Sequence, residues 1–270
     1  MSVINTIKEL LRQAPVYANI SCLSPSARLK GRKIIVTGGT GGIGQAMAKR
    51  FVEEGADVLI TGRNESKLRQ ISHEIGCKSL TLDVVKVESF DAFFSQAIDL
   101  LRGFDTLVNS TGISLHESFF DVNPEGFDVQ FNTNLRGPFF LTQRALRYFV
   151  DNGIKGNVLF ISSEAGETAD IRPYGLTKAA VNSLAQGLAY AYASDGIRIN
   201  IIAPGVTATA MTGFNPDEDL FSNTSPVGRV YLPLEVAELA AFLLSDVSSS
   251  ISGQIITCNN ARTVNARWKK

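Results

Sequence analysis

From Lys33 onward the apolar positions of the chain alternate between two patterns. Short apolar runs bounded by turn residues read as buried strands. Longer stretches with apolar residues three and four apart read as helices. KIIVTG (33–38) is a run of the first kind. Gly44 to Glu54 follows with helical spacing, Met47 four before Phe51 and Ala48 four before Val52, and Gly55 stands where a helix C-cap glycine belongs. The alternation continues with a strand over 56–62, a helix over 65–75 and a strand over 79–84. A helix over 89–101, a strand over 105–110 and one long helix over 124–150 come next, with Gly137-Pro138 as its point of interruption. A strand over 157–162, a helix over 177–193, a strand over 197–203, a helix over 234–244 and a short strand over 253–258 complete the series. Regular β-α alternation predicts an α/β fold, a doubly wound parallel sheet of the Rossmann type in one domain with helices on both faces. Residues 207–233 lack a clear period and are rich in Pro, Gly, Ser and Asn, which makes them a candidate mobile lid after the sixth strand.

The first thirty residues differ. Val3, Ile4, Ile7, Leu10 and Leu11 recur at helical spacing with Lys8, Glu9 and Arg12 between them, and Pro15 to Pro25 reads as loop. Residues 1–30 are therefore expected to form an arm with a short amphipathic helix, and residues 31–270 the Rossmann-type domain. The arm lacks the continuous apolar segment of a secretory signal. It is expected to pack on the body or on a partner subunit, with membrane-surface contact as the alternative.

Composition narrows the field. Of 270 residues, 44% are apolar, enough for a large core, and no run is long enough to span a bilayer. Lysine plus arginine and aspartate plus glutamate number 26 each, so no electrostatic footprint for nucleic acid is expected. Cys22, Cys77 and Cys258 have neither zinc spacing nor a disulfide framework, and point to a reduced, cytoplasmic protein without a metal site.

The glycine-rich turn IIVTGGTGGIG (34–44) joins a strand to a helix, the context in which a dinucleotide pyrophosphate is held at a helix N-terminus. It satisfies two registers. Gly39, Gly41 and Gly44 fit G-x-G-x-x-G, whereas Thr37, Gly38, Gly42 and Gly44 fit T-G-x-x-x-G-x-G. No Gly-Lys-Ser/Thr follows, which excludes a P-loop. The second strand ends in Thr61-Gly62-Arg63. An acid is the usual partner of an NAD ribose at this place, and none is present. Arg63 could instead pair with a 2′-phosphate, so NADP(H) is preferred and NAD(H) is possible. The missing acid also counts against S-adenosylmethionine.

Tyr174 and Lys178, in Y-G-L-T-K, lie four apart on one helix face, just after the fifth strand. A free phenol near pKa ~10 exchanges protons poorly at neutral pH. An adjacent ammonium would lower that value and fit the tyrosine for general acid/base work on a ketone or alcohol. Ser162 and Ser163 sit at the end of the same strand.

With these segments in order, residues 31–258 resemble the short-chain dehydrogenase/reductase family. The second register of the glycine turn is the family's own. Asp83-Val84 resembles its adenine-contacting pair, Asn109-Ser110-Thr111-Gly112 its N-N-A-G, and Asn134 its helix-four asparagine. Ser163 matches its catalytic serine, Tyr174 and Lys178 its Y-x-x-x-K, and Pro204-Gly205 with Thr207 and Thr209 the segment that grips the nicotinamide.

The resemblance implies catalytic roles for Asn134, Ser163, Tyr174 and Lys178. It implies a cofactor site formed by Gly38, Thr40, Gly42, Ile43, Gly44, Arg63, Asp83, Val84, Asn109, Gly112, Tyr174, Lys178, Pro204, Gly205, Thr207 and Thr209. The implied reaction is reversible hydride transfer between a nicotinamide and a small-molecule ketone or secondary alcohol. Tyr174 would be the acid/base and Lys178 would tune it and hold the nicotinamide ribose. Ser163 would polarise the carbonyl, and the backbone of Asn134 would hold a proton-relaying water. A homodimer or homotetramer is also implied, through helices 124–150 and 177–193.

Three places depart from the family pattern. Ser110 and Thr111 replace Asn-Ala, and the eleven-residue step from Ser163 to Tyr174 is about two shorter than usual, which leaves Ser162 as the alternative serine. Cys258-Asn259-Asn260-Ala261 stands where Asp-Gly-Gly is common. His116, Glu164, Glu167, Asp170 and Arg172 flank the expected pocket, and the substrate stays open among sugars, β-keto thioesters and steroids. The competing readings are a non-catalytic dinucleotide sensor or scaffold, and a methyltransferase of similar topology.

Overall fold

The computed structural model describes residues 15–18 and 26–264. Seven parallel strands, β1 (Lys33–Val36), β2 (Asp57–Gly62), β3 (Lys78–Thr81), β4 (Thr106–Asn109), β5 (Asn157–Ile161), β6 (Arg198–Pro204) and β7 (Ile255–Cys258), form one sheet. Their order is β3-β2-β1-β4-β5-β6-β7. Successive side chains of a strand point to opposite faces. Ile34 and Val36 accordingly enter one core and Ile35 the other, as do Val58 and Ile60 against Leu59. Apolar residues at every position are what a sheet covered on both faces requires.

The helices supply that cover. On one face lie α1 (Gly42–Glu53), α2 (Glu65–Ile75) and α7 (Pro233–Leu244), through Met47, Phe51, Leu68, Val236 and Ala240. On the other lie α3 (Phe90–Leu101), α5 (Gly137–Asp151) and α6 (Pro173–Ala191), through Phe90, Leu141, Phe149, Val181 and Ala185. The sequence-predicted order of elements is reproduced in full, with ends that differ by a few residues. Gly55 closes α1 in a left-handed conformation, its N–H on the Val52 carbonyl and that of Ala56 on Phe51.

The stretch expected as one helix over 124–150 runs from α4 (Pro124–Phe131) through a π-helical turn (Asn132–Arg136) into α5. The irregular turn lies just before Gly137-Pro138. A Cβ at Gly137 would stand 2.3 Å from the Val84 carbonyl, so glycine is what allows the helix to pass the loop after β3. The third strand is shorter than the expected 79–84: pairing stops at Thr81, where β2 also ends, and Leu82 to Val84 turn out of the sheet.

Residues 207–232 contain no helix. Two isolated bridges, Thr207 with Tyr231 and Phe221 with Arg229, hold them, and Ala208, Leu220 and Val230 form a small buried cluster. The Val16 amide donates to Asp219 Oδ1 at 2.9 Å and its carbonyl accepts from Leu220 N. The amphipathic segment expected over 3–11 lies outside the described residues, as does Cys22. The end of the expected arm belongs to the body. Leu29 is fully buried, and Arg28 joins Arg50, Glu54 and Glu238 in an ion-pair network between α1 and α7. No helix among the described residues is long and apolar enough to cross a membrane, and they contain no cluster of metal-binding side chains.

Candidate active site

The C-terminal ends of β1 and β4 point to the place where the strand order reverses, which in open α/β sheets leaves a crevice. A cavity of about 290 Å³ runs through it. One end is lined by Gly62, Arg63, Leu82, Asp83 and Val84, and the other reaches Ser162, Tyr174 and Lys178. Between them lie the glycine turn and residues Ser110 to Ile113.

The turn owes its shape to close backbone approach. A Cβ at Gly44 would come within 2.3 Å of the Gly38 carbonyl oxygen. Thr37 ties the turn to the end of β4, its hydroxyl accepting from the amides of Ser110 (3.1 Å) and Thr111 (3.3 Å). That is why hydroxyl-bearing Ser110 and Thr111 are accommodated: the turn is bound through their main chain.

Helix α1 begins at the cavity wall. Its N-cap, Gly41, supplies no side-chain acceptor, and no acid occupies the first turn. The N–H groups of an uncapped helix end are ready-made anion donors, and a partial positive charge accompanies them. This terminus fits a pyrophosphate. At the far end a Cβ at Gly112 would sit 3.3 Å from Lys178 Nζ, so glycine keeps the space before the ammonium open. The cavity thus fits a dinucleotide from Arg63 at one end to Lys178 at the other.

Not every residue expected in the cofactor site faces this cavity. Asn109 lies behind it, donating its amide to Thr142 Oγ1 at 3.0 Å in the core. Pro204, Gly205 and Thr207 line a second, adjoining cavity of about 600 Å³, while Thr209 and Ile43 border both. Asn134 lines neither. Its side chain accepts from Ile113 N (2.8 Å) and donates to Ile113 O (2.9 Å) and Thr177 Oγ1 (3.1 Å). It bolts the loop after β4 to α6 from within the π-helical turn.

Tyr174 and Ser162 line both cavities. The second also contains Ser163, Glu164, Arg172, His116, Met211 and Arg262. The two serines have separate tasks. Ser162 is buried and its hydroxyl donates to the Lys178 carbonyl at 3.3 Å. Ser163 accepts from Ala165 N at 3.2 Å and shares the wall of the second cavity with Tyr174.

Burial pushes the Tyr174 phenol above the usual tyrosine range. Ser163 and the Arg172 guanidinium oppose that rise, and Glu164 adds to it. Burial also takes Lys178 down to about 8. Its Nζ donates to the Ile161 carbonyl at 2.9 Å. The Lys178 ammonium faces the tyrosine ring, and the influences that lower the phenol come from Ser163 and Arg172.

Arg172, two residues before the tyrosine, is held by Asp170, whose Oδ1 accepts from both its N and its Nε at 2.9 Å. The contact of Glu164 with Arg262 and Asn259 was not legible in the sequence. Only the non-glycine pair at 260–261 marked that turn as unusual.

Comparison with known proteins agrees with this geometry. A family described as enoyl-(acyl carrier protein) reductase matches residues 38–260. The chain is 31% identical over 242 residues to a 3-oxoacyl-(acyl carrier protein) reductase of Aquifex aeolicus, covering 86% of this chain and 97% of that one. It is 31% identical over 249 residues to a glucose 1-dehydrogenase of Gluconobacter oxydans, covering 88% and 94%. The crystal structure of a 3-ketoacyl-(acyl carrier protein) reductase from Brucella melitensis complexed with NADH superimposes with a TM-score of 0.81 at 29% identity, covering 87% of this chain and all of that one. These matches favour the oxidoreductase reading over the scaffold and methyltransferase readings. The chain belongs to the short-chain dehydrogenase/reductase family of oxidoreductases.

Proposed function

We propose that this protein is an NADP(H)-dependent oxidoreductase that interconverts a ketone and a secondary alcohol. The observation that carries the reading is the position of Tyr174, a wall of both the dinucleotide-shaped cleft and the adjoining cavity, with Ser163 beside it in the latter. A proton donor at the junction of two cavities serves a reaction between their two occupants.

A bound nicotinamide supplies or accepts the hydride. The protein does the rest. Tyr174 gives its proton to the carbonyl oxygen, or takes it from the alcohol in the reverse direction. Ser163 donates to the same oxygen and fixes its approach. Lys178 holds the ribose next to the nicotinamide and returns protons to the phenol. Asn134 has its side chain fully engaged, which leaves its main chain to hold a water that passes protons to Lys178. Pro204, Gly205, Thr207 and Thr209 border the nicotinamide end.

The preference for NADP(H) is supported by Gly62 and the exposed Arg63 at the adenosine end of the cleft. We further propose assembly as a homodimer or homotetramer through α4–α5 and α6, which leave Phe127, Phe139 and Leu176 exposed on the single chain. Light scattering at micromolar protein is expected to give two or four chains, and a monomer would contradict this. The activity itself is tested by following NADPH oxidation across a panel of keto esters, hydroxyketones and cyclic ketones. Turnover of at least one is expected, and loss of none of the NADPH signal with any of them would overturn the reading.

A further inference from the structure

Glu164 directly follows the serine that meets Tyr174. It is almost wholly buried, and both its oxygens are engaged from one place. Oε1 is ion-paired with Arg262 Nη1, and Oε2 accepts from Asn259 Nδ2 at 3.1 Å. Asn259 Nδ2 also donates to Thr263 Oγ1 at 3.0 Å. The contacts join the turn after β5 to the turn that follows β7, across 95 and 98 residues of sequence.

That turn is strained. Asn260 and Ala261 have φ of 48° and 65°, consecutive left-handed residues without a glycine. The left-handed region brings Cβ against the carbonyl oxygen, and a non-glycine residue stays there only when its surroundings hold it. Asparagine tolerates the conformation and alanine does not help it. The side chains on either side of the strained pair, Asn259 and Arg262, are the two that grip Glu164. Arg262 and Thr263 then line the cavity shared with Ser163 and Tyr174. The Glu164 carboxylate lies behind and the Arg262 guanidinium is the more exposed partner, 34% against 11%. Among the described residues the Arg262 side chain makes no hydrogen bond except to Glu164. A guanidinium has five N–H donors, so the others remain for an occupant of the cavity.

We propose that Glu164 is a positioning residue that pins the strained turn Asn259–Thr263 as a wall of the substrate cavity, and that Arg262, held there, donates to an acceptor oxygen of the substrate remote from the reacting carbonyl. The substrate part of this rests on the function proposed above, whereas the pinning does not. Because the positive charge of Arg262 is balanced by Glu164, and that of Arg172 by Asp170, the wall offers donors without net charge. It suits a neutral oxygen substituent better than an anion.

Hydrogen exchange of the 258–264 segment, read by mass spectrometry, tests the pinning without any substrate. Glu164→Ala is expected to speed exchange there at least tenfold. Glu164→Gln, which keeps the bond from Asn259, is expected to give a smaller rise. Adding Asn260→Gly and Ala261→Gly to Glu164→Ala should bring exchange back to within about threefold of wild type, because glycine adopts the left-handed conformation without the strain that drives the turn open. On the ketone of the panel that wild type reduces fastest, Glu164→Ala should raise KM at least tenfold with kcat within threefold, and the glycine pair should restore it. Arg262→Ala should raise KM equally and not be rescued. Unchanged exchange in both Glu164 variants, or glycines that fail to restore it, would overturn the pinning. A fall in kcat at constant KM would place Glu164 with the phenol instead and overturn the proposal. If no ketone is turned over, the proposed function fails while the exchange result still decides on the turn.

Discussion

The ammonium nitrogen of Lys178 lies 5.6 Å from the centroid of the Tyr174 ring and donates its hydrogen bond to the Ile161 carbonyl, not to the phenol. Lysine and tyrosine share one face of α6, as their spacing of four requires. They act on different partners: the tyrosine faces both cavities and the lysine is anchored to the end of β5. Both groups are driven toward their neutral forms by burial.

One consequence concerns Lys178 alone. Its amine, lowered to about 8 by burial, is charged below that pH and neutral above it. In a carbon-13 NMR titration of ε-labelled lysines, a single resonance is expected to titrate near pH 8 and to vanish in Lys178→Met. All lysines titrating near the ordinary value of ~10.4 would contradict this.

A second prediction concerns the ion-pair network beneath α1. Burial alone would raise Glu54, but hydrogen bonds from the side chain and backbone of Arg28 and from the Ser26 amide outweigh it and hold the carboxyl at about 2. A depressed acid contributes stability above its unfolded pKa near 4.5, and the contribution fades as pH falls from there toward 2. The full contribution is about 3 kcal/mol. Urea unfolding should show Glu54→Gln destabilised by that order at pH 7, with the gap to wild type narrowing between pH 4.5 and 2. A gap independent of pH would contradict the assignment.

Most of the fold was legible because its signals are local. Buried apolar runs and helical spacing alternate without interruption, and Gly55 marks a helix end by a conformation only glycine adopts freely. The irregular features were not legible for the opposite reason. An interruption near Gly137-Pro138 was legible, but not its π-helical form at Asn132–Arg136, nor the close pass of Gly137 by the Val84 carbonyl, a contact between distant segments. The core-facing side chain of Asn109 depends on Thr142 in α5. The grip of Glu164 on Arg262 joins residues far apart in sequence and has no period to announce it. Spacing does not separate Ser162 from Ser163, and the bond of the Ser162 hydroxyl to the Lys178 carbonyl is again a contact between separate elements.

A third prediction concerns the adenosine end. Arg63→Ala should weaken NADPH about tenfold and NADH little, since an exposed charge-assisted hydrogen bond contributes on the order of 1.5 kcal/mol. Gly62→Asp with Arg63→Ile should reverse the preference toward NADH by placing a carboxylate where the 2′-phosphate would lie. Cofactor titrations by fluorescence check both, and equal weakening of NADPH and NADH by Arg63→Ala would show that Arg63 does not read the phosphate.

The central claim is that the Tyr174 phenol is the proton donor at the junction of the two cavities, and Tyr174→Phe tests it most directly. The substitution removes one oxygen and leaves the ring that packs beside Lys178. Steady-state turnover of the best ketone should fall by at least a thousandfold, within the ~10²–10⁴ range of general acid catalysis, while the Kd for NADPH stays within about threefold of wild type. Retention of most of the wild-type rate, with NADPH still bound, would contradict the account.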